Sequence, residues 1–167
     1  MSKSILVTGA AGFIGAALVQ RLVAKGERVI GVDNLNNYYD PTLKKARLSC
    51  IEVTSPAKAW SFHQISIDNQ EALWRLFEIE QPQIVVNLAA QAGVRYSIEN
   101  PSAYIQANLV GFGHILEGCR KYEVGNLVYA SSSSVYGGNR KLPFHEKQEV
   151  NHPVSIYAVS KKANELM

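Results

Sequence analysis

Thr8-Gly9-Ala10-Ala11-Gly12-Phe13-Ile14-Gly15 is the stretch on which the fold turns. Before it lies a short β run, Ser4-Ile5-Leu6-Val7-Thr8, cut off by Gly9. After it, from Phe13 to Lys25, Ile14, Leu18 and Leu22 recur every four positions with Ala17 beside them, which predicts an amphipathic helix that Gly26 stops. In a strand–turn–helix, Gly9 makes the tight turn. Gly12 leaves no Cβ where backbone must approach a pyrophosphate, and Gly15 lets helix and strand pack closely. The helix N-terminus then faces the phosphates. The spacing is G-x-x-G-x-x-G, not the commoner G-x-G-x-x-G. A glycine cluster alone could be a plain strand–helix turn; its place between strand and helix favours phosphate binding.

Working outward, strands and helices alternate. Arg28 to Val32 is a second strand ending at Asp33, and Asp40-Pro41 starts a helix to about Cys50. Trp60 to Ile67 is a third, weaker strand, and Gln70 to Glu78 is a helix with Leu73, Leu76 and Phe77 on one face, ended by Pro82. Ile84 to Leu88 is a continuous apolar strand of the kind covered on both faces. Asn100-Pro101 opens a long helix to about Tyr122, Asn126 to Ala130 is a fifth strand, and a last helix starts at Ser155. The pattern predicts an α/β fold, a doubly wound parallel sheet in one domain over 1–167. The last residues, Lys162 to Met167, carry no stop signal, so the domain is expected to be truncated within this helix, with one sheet edge open.

Composition agrees with one folded domain. The 167 residues are 47% hydrophobic and 19% charged, which excludes a disordered or collagen-like chain. A chain of this size hides roughly 70% of its unfolded surface. Seventeen Lys and Arg against fourteen Asp and Glu give a net charge of +3, too mild to imply nucleic acid or an anionic membrane. Cys50 and Cys119 form no C-x-x-C and read as buried thiols in a reducing cytosol. No signal peptide and no membrane span are visible, and no metal site is expected. A cytoplasmic protein is the expectation.

Two further features carry chemistry. Asp33, eighteen residues past Gly15, can accept hydrogen bonds from both ribose hydroxyls of adenosine and would repel a 2′-phosphate. Asn34, not Arg, follows it, so NAD is favoured over NADP; a capping Asp is the plainer alternative. The fifth strand runs into Ser131-Ser132-Ser133-Ser134, and twenty-five residues past Ser132 comes Tyr157-Ala158-Val159-Ser160-Lys161. Tyr157 and Lys161, at i and i+4, share a helix face. A phenol, with an ordinary pKa near 10, needs a drop of ~3 units to act as a base near pH 7, or ~4 kcal/mol. An ammonium ~4 Å away supplies about 4 kcal/mol at an effective dielectric of ~20. A serine hydroxyl can hold the reacting alcohol in line, giving base-assisted hydride transfer.

Together these residues resemble the extended short-chain dehydrogenase/reductase family, specifically its NAD-dependent nucleotide-sugar epimerases and dehydratases. The resemblance covers essentially the whole chain. Three stretches are similar to UDP-glucuronate 4-epimerases: Asp33 to Asp40, Gln91 to Ser97 and Ala130 to Gly137, joined by His152 to Tyr157 and Lys161 to Met167. The resemblance implies that Tyr157 takes the proton of the sugar 4-hydroxyl. Lys161 would lower its pKa and bind the nicotinamide ribose, and Ser132 would hold the 4-oxygen. Ser133 and Ser134 would face the uronate. Gly9, Gly12, Phe13, Ile14, Gly15, Asp33, Asn34, Asn37, Ile67, Leu88, Ala89, Ala90 and Asn108 match cofactor-contacting positions. Arg95 is either a carboxylate partner or an exposed structural arginine.

The resemblance further implies a tightly held NAD, a UDP-sugar substrate and hydride transfer through a 4-keto sugar. Dehydratases and decarboxylases would carry carboxylates where this chain has Ser133 and Ser134, which favours epimerisation. Two departures stand out: Ser66 replaces a usual Asp before Ile67, and Ala16 a usual serine. Family members are about twice as long, so the substrate domain is expected to be missing. A UDP-hexose 4-epimerase, a non-catalytic NAD-binding module, a homodimer and a half completed by a second chain remain the alternatives.

Overall fold

The computed structural model describes residues 2–167. Five parallel strands form one sheet in the order β3-β2-β1-β4-β5. They are β1 (Ser4–Thr8), β2 (Arg28–Asp33), β3 (Trp60–Gln64), β4 (Ile84–Asn87) and β5 (Asn126–Tyr129). The helices between them are α1 (Phe13–Ala24), α2 (Pro41–Thr54), α3 (Gln70–Glu80), α4 (Tyr96–Glu99), α5 (Pro101–Tyr104), α6 (Phe112–Lys121) and α7 (Ile156–Leu166). This is the doubly wound, Rossmann-like sheet that the alternation predicts.

Side-chain alternation along the strands builds two cores. On one face Leu6, Ile30, Val32 and Val85 meet Leu73, Leu76 and Phe77 of α3 and Ile115 of α6. On the other, Ile5, Val7 and Val29 meet Val19 and Val23 of α1 and Ile51 of α2. Most of these side chains are fully buried, and each such Val, Leu, Ile or Phe stabilises the fold by roughly 1.5–3 kcal/mol. The edge strand β5 is thinner, alternating exposed and half-buried residues, and Val128 is 49% exposed.

Helix starts follow local chemistry. Asp40 caps α2 by accepting from Thr42 N at 2.9 Å, with Pro41 at the first position. Asn69 caps α3 and Ser155 caps α7 in the same way. Several boundaries differ from the sequence reading. α2 runs four residues beyond Cys50 to Thr54, and β3 ends at Gln64, three residues early. Cys50 is exposed on α2, contrary to the buried thiol expected; only Cys119 is partly covered.

Two differences bear on function. First, the buried stripe of α1 is Gly15, Ala16, Val19 and Val23, about one residue away from the Ile14–Leu18–Leu22 face. A Cβ on Gly15 would lie 2.0 Å from Gly9 O, so that face must turn inward. Ile14 is consequently 66% and Phe13 81% exposed at the mouth of the turn. Second, the long helix from Pro101 is not uniform. Between α5 and α6, Ile105–Gly111 is π-helical, with Asn108 buried in its middle.

Candidate active site

β1 and β4 are neighbours while their chain connections run in opposite directions, so the sheet order reverses between them. A crevice opens there, beyond the strands' C-terminal ends. Thr8, at the end of β1, ties it together. Its hydroxyl donates to Asn87 Oδ1 at 2.6 Å and accepts from Leu88 N and Ala89 N at 3.2 and 3.1 Å. Gly9 follows with φ +68°, and a Cβ there would meet Ala89 N and Leu88 C at 2.9 Å. The glycine turn is thus pressed against the β4 loop.

The resulting cleft, of about 190 Å³, is lined by Gly9, Gly12, Asp33, Asn34, Ile67, Leu88, Ala89 and Ala90, eight of the positions singled out in the sequence. The rest of that set lies elsewhere. Phe13 and Ile14 are exposed on the first turn of α1, and Gly15 is buried against Gly9. Asn37 is exposed, and Asn108 is buried behind Gln91. Sequence reading missed Asn36, Tyr38, Tyr39, Lys44 and Gln91, which also line the cleft. The unusual Ser66 lines it too, accepting from Asn34 Nδ2 at 3.3 Å.

Asp33 sits at the end of β2, only 6% exposed. Its Oδ2 accepts from Ala11 N at 3.2 Å, and its Oδ1 accepts from Leu35 N at 2.8 Å and Lys44 Nζ at 3.3 Å. The carboxylate is therefore fixed against the glycine turn. Bare backbone at Gly9 and Gly12 beside a fixed carboxylate fits an adenine dinucleotide: pyrophosphate over the turn, ribose at Asp33.

The second group lies at β5 and α7. Lys161 is 5% exposed, and its ammonium donates to Ala130 O at 2.9 Å, just past β5. Burial lowers its pKa from the ordinary lysine value. Tyr157, one turn earlier, packs edge-on against Tyr104 at 6.1 Å between ring centroids. Tyr104 is fully buried and donates to the backbone oxygens of Ala92 and Gly93, and burial raises its pKa so that it keeps that proton. Ala92 lines the cleft, so Tyr104 links the tyrosine–lysine helix to the cofactor cleft.

Ser132 caps a 3-10 turn over Ser133–Tyr136, its Oγ accepting from Ser134 N at 3.2 Å. Accepting there leaves its hydroxyl proton free to donate to a ligand. Ser133 is exposed beside it, and Ser134 is half-buried inside the turn. Ser132 and Ser133 line a more open hollow of about 560 Å³ with Tyr136, Glu146 and Glu165. Glu165 was not anticipated; it accepts from Ser131 Oγ and pairs with Lys162 at 3.4 Å. Arg95 is exposed at the N-terminus of α4, without an ion-pair partner among the described residues.

A buried polar clasp joins the two groups. Asn108 Oδ1 accepts from Gln91 N at 2.8 Å, and its Nδ2 donates to Gln91 O and to Ser160 Oγ. Asn164 Nδ2 donates back to Asn108 O at 2.7 Å. The π-helical segment places Asn108 where loop and α7 both reach it. Among the described residues no group of His, Cys, Asp or Glu is placed to hold a metal ion. Among them, too, no helix is long and apolar enough to cross a membrane.

The chain is 52% identical over 163 residues to protein CapI of Staphylococcus aureus, covering 98% of this chain and 48% of that protein. It is 47% identical over 163 residues to UDP-glucuronate 4-epimerase 4 of Arabidopsis thaliana, covering 97% and 36%. The structure of the Thermus thermophilus UDP-glucose 4-epimerase in complex with NAD matches with a TM-score of 0.81 at 34% identity, over 98% of this chain and 49% of that one. The chain thus spans about half the length, or less, of these relatives. The NAD dependent epimerase/dehydratase family model matches residues 5–167, from β1 through the last helix, and the chain belongs to that family.

Proposed function

We propose that this chain is the NAD-binding half, carrying the catalytic residues, of a nucleotide-sugar 4-epimerase that acts on a UDP-uronic acid. The observation that carries this is the convergence at one end of the sheet. The glycine turn and Asp33 form a dinucleotide cleft. Lys161 and the Ser132 turn lie just past the end of β5, and Tyr157, one turn before Lys161, packs on Tyr104, which bonds the Ala92 loop of that cleft. A bound NAD would supply the hydride acceptor and donor for C4 of the sugar.

The residues then divide the remaining work. Tyr157 Oη takes the proton of the 4-hydroxyl and gives it back when the hydride returns. Lys161, held in a dry site by Ala130 O, supplies the positive charge that favours the phenolate. Ser132 donates to the 4-oxygen with the hydroxyl proton left free while it accepts from Ser134 N. Asp33 and Gly9, Gly12, Asn34, Ile67, Leu88, Ala89 and Ala90 hold the dinucleotide. Phe13, Ile14, Gly15, Asn37 and Asn108 support it from the rim or from behind. Ser133 and Ser134 face the sugar, with Arg95 as the candidate for its carboxylate. Ser133 and Ser134 stand where a dehydratase or decarboxylase would carry a carboxylate, which favours epimerisation.

The uronate is favoured because the relative named for UDP-glucuronate is 47% identical and the UDP-glucose enzyme 34%. The second reading, a UDP-hexose substrate, is favoured by the match to that enzyme's structure. The test is denaturing release of nucleotide from the purified chain. UDP-glucuronate and UDP-glucose are then assayed with the chain alone and with a relative's C-terminal half supplied in trans. Near-stoichiometric NAD with interconversion of UDP-glucuronate and UDP-galacturonate is expected. A folded chain that neither carries nor binds NAD overturns the cofactor assignment. Turnover of UDP-glucose alone replaces the uronate with a hexose, and NAD without any turnover assigns a binding module.

A further inference from the structure

Asp33 does not stand alone in the cofactor cleft. Lys44, on the second turn of α2, is itself 5% exposed, and its ammonium lies 3.3 Å from Asp33 Oδ1 and 3.0 Å from Asn36 Oδ1. Its other close neighbour is the Tyr39 ring, with the ammonium 5.1 Å from the centroid. Among the cleft-lining residues Lys44 is the single cation and Asp33 the single anion. The carboxylate at the ribose end is therefore paired with a buried ammonium, and a second cation, Arg47, lies next to the glycine turn, donating to Ala11 O at 3.2 Å and Tyr39 Oη at 3.1 Å.

This pairing changes the physics of cofactor choice. A lone buried carboxylate disfavours a 2′-phosphorylated ribose by direct repulsion. Here a phosphate would approach a carboxylate already paired with an ammonium, and the two charges act on it in opposite directions. What still favours the unphosphorylated ribose is hydrogen bonding: a free 2′-hydroxyl can donate to Asp33, and a phosphate cannot.

We propose that Lys44 sets dinucleotide selectivity: by neutralising Asp33 it lets the chain bind NADP as well as NAD, with NAD preferred through the hydrogen bonds of Asp33. This rests on the reading of the cleft as an adenine dinucleotide site. Lys44 acts through charge, so its effect belongs to the NAD-to-NADP ratio rather than to affinity in general.

The experiment is calorimetric titration of the nucleotide-stripped chain with NAD and with NADP, with thermal melting of every variant as the control for folding. In the wild type, both bind and NAD is tighter by roughly tenfold, about 1.4 kcal/mol. Lys44→Met widens the ratio at least another tenfold, through loss of NADP binding, and Lys44→Arg restores it. Asp33→Asn, which leaves Lys44 without its counter-charge, moves the ratio toward NADP; Asp33→Asn with Lys44→Met does not. An unchanged ratio in Lys44→Met, or an equal loss of both ligands, overturns the proposal. If Lys44→Met does not fold, the Asp33→Asn variant and its double mutant decide, and equal ratios in those two overturn it. NAD binding with no measurable NADP binding in the wild type also overturns it while sparing the cofactor reading. Failure of either dinucleotide to bind a folded wild type removes both.

Discussion

The two halves of the site are held together by different means. The cofactor cleft is made at strand ends: Thr8, Gly9, Asp33 and Leu88 are placed by the sheet register itself, and backbone amides bond to one another and to Asp33. The Ser–Tyr–Lys half has no such frame. Nineteen residues, 137–155, separate the 3-10 turn from α7, with most of that connection exposed. α7 is held instead by side-chain bonds across large sequence separations: 31 residues for Lys161–Ala130, 52 for Asn108–Ser160 and 56 for Asn164–Asn108. One half tolerates no change of backbone shape; the other depends on a few polar atoms.

Four experiments break or sharpen this contrast, from the largest expected effect downward. Gly15→Ala attacks the cleft through the backbone. Its Cβ would lie 2.0 Å from Gly9 O, and neither partner is a flexible side chain. A loss of about 3 kcal/mol or more in urea-unfolding free energy is expected, with loss of NAD binding. A loss below about 1 kcal/mol would show that the turn yields after all.

Asn108→Ala attacks the clasp. It strands the buried Gln91 amide and carbonyl, while Ser160 Oγ loses one donor but still donates to Tyr157 O, for a cost of about 2–3 kcal/mol. Hydrogen exchange at Gln91 and along α7 should accelerate while β1 and β2 stay protected. Uniform acceleration across the sheet would mean the two halves are not separable.

Lys161→Met removes a charge that burial disfavours, and a gain of about 1 kcal/mol is expected together with loss of any turnover. The sign with pH follows from the folded-state pKa lying below the ordinary 10.5. Between the two values the unfolded chain holds a proton that the folded chain has lost, so wild-type stability rises with pH through that window. Below the lowered pKa the full cost of the buried charge is present; above 10.5 it is gone. The advantage of Lys161→Met over wild type should therefore shrink as pH rises toward 10.5. A difference independent of pH would remove desolvation as its cause.

The smallest effect is chemical. Burial pushes the Cys119 thiol up to about 11, so at pH 8 only about a thousandth of it is thiolate, whereas Cys50 is exposed. A thiol reagent should label Cys50 in the native protein and Cys119 only on unfolding. Rapid native labelling of Cys119 would mean that the core between α3 and α6 opens readily.

Much of the cleft was legible because its rules are local. A glycine turn after a strand and an acidic residue ending the next strand are adjacent in sequence, and Gly9, Gly12, Asp33 and Asn34, read on that basis, line the cleft; Ile67, Leu88, Ala89 and Ala90 came only from the family resemblance. Lys44 was not legible: nothing in Leu43-Lys44-Lys45 distinguishes the buried lysine from the exposed one beside it. Only the angle at which α2 packs turns Lys44 inward. The α1 face was misread by one residue because hydrophobicity favoured Ile14 and Leu18, while sterics at Gly15 decided the rotation. Glu165 escaped because its partner Ser131 is 34 residues away.

The π-helical stretch Ile105–Gly111 has one more consequence. It acts as a phase shift between two packing surfaces. Ahead of it Tyr104 is set against Tyr157 and the Ala92–Gly93 backbone; behind it Phe112 and Ile115 are buried on the sheet side. Each residue of a regular α-helix advances the direction of its side chains by about 100°. Deleting any one residue of this stretch would therefore turn one surface away from its partner, however well the helix itself re-formed. Length variants are expected to be lethal to the fold here, in mid-helix, and tolerated in the exposed 137–155 connection, the reverse of what residue composition alone would suggest.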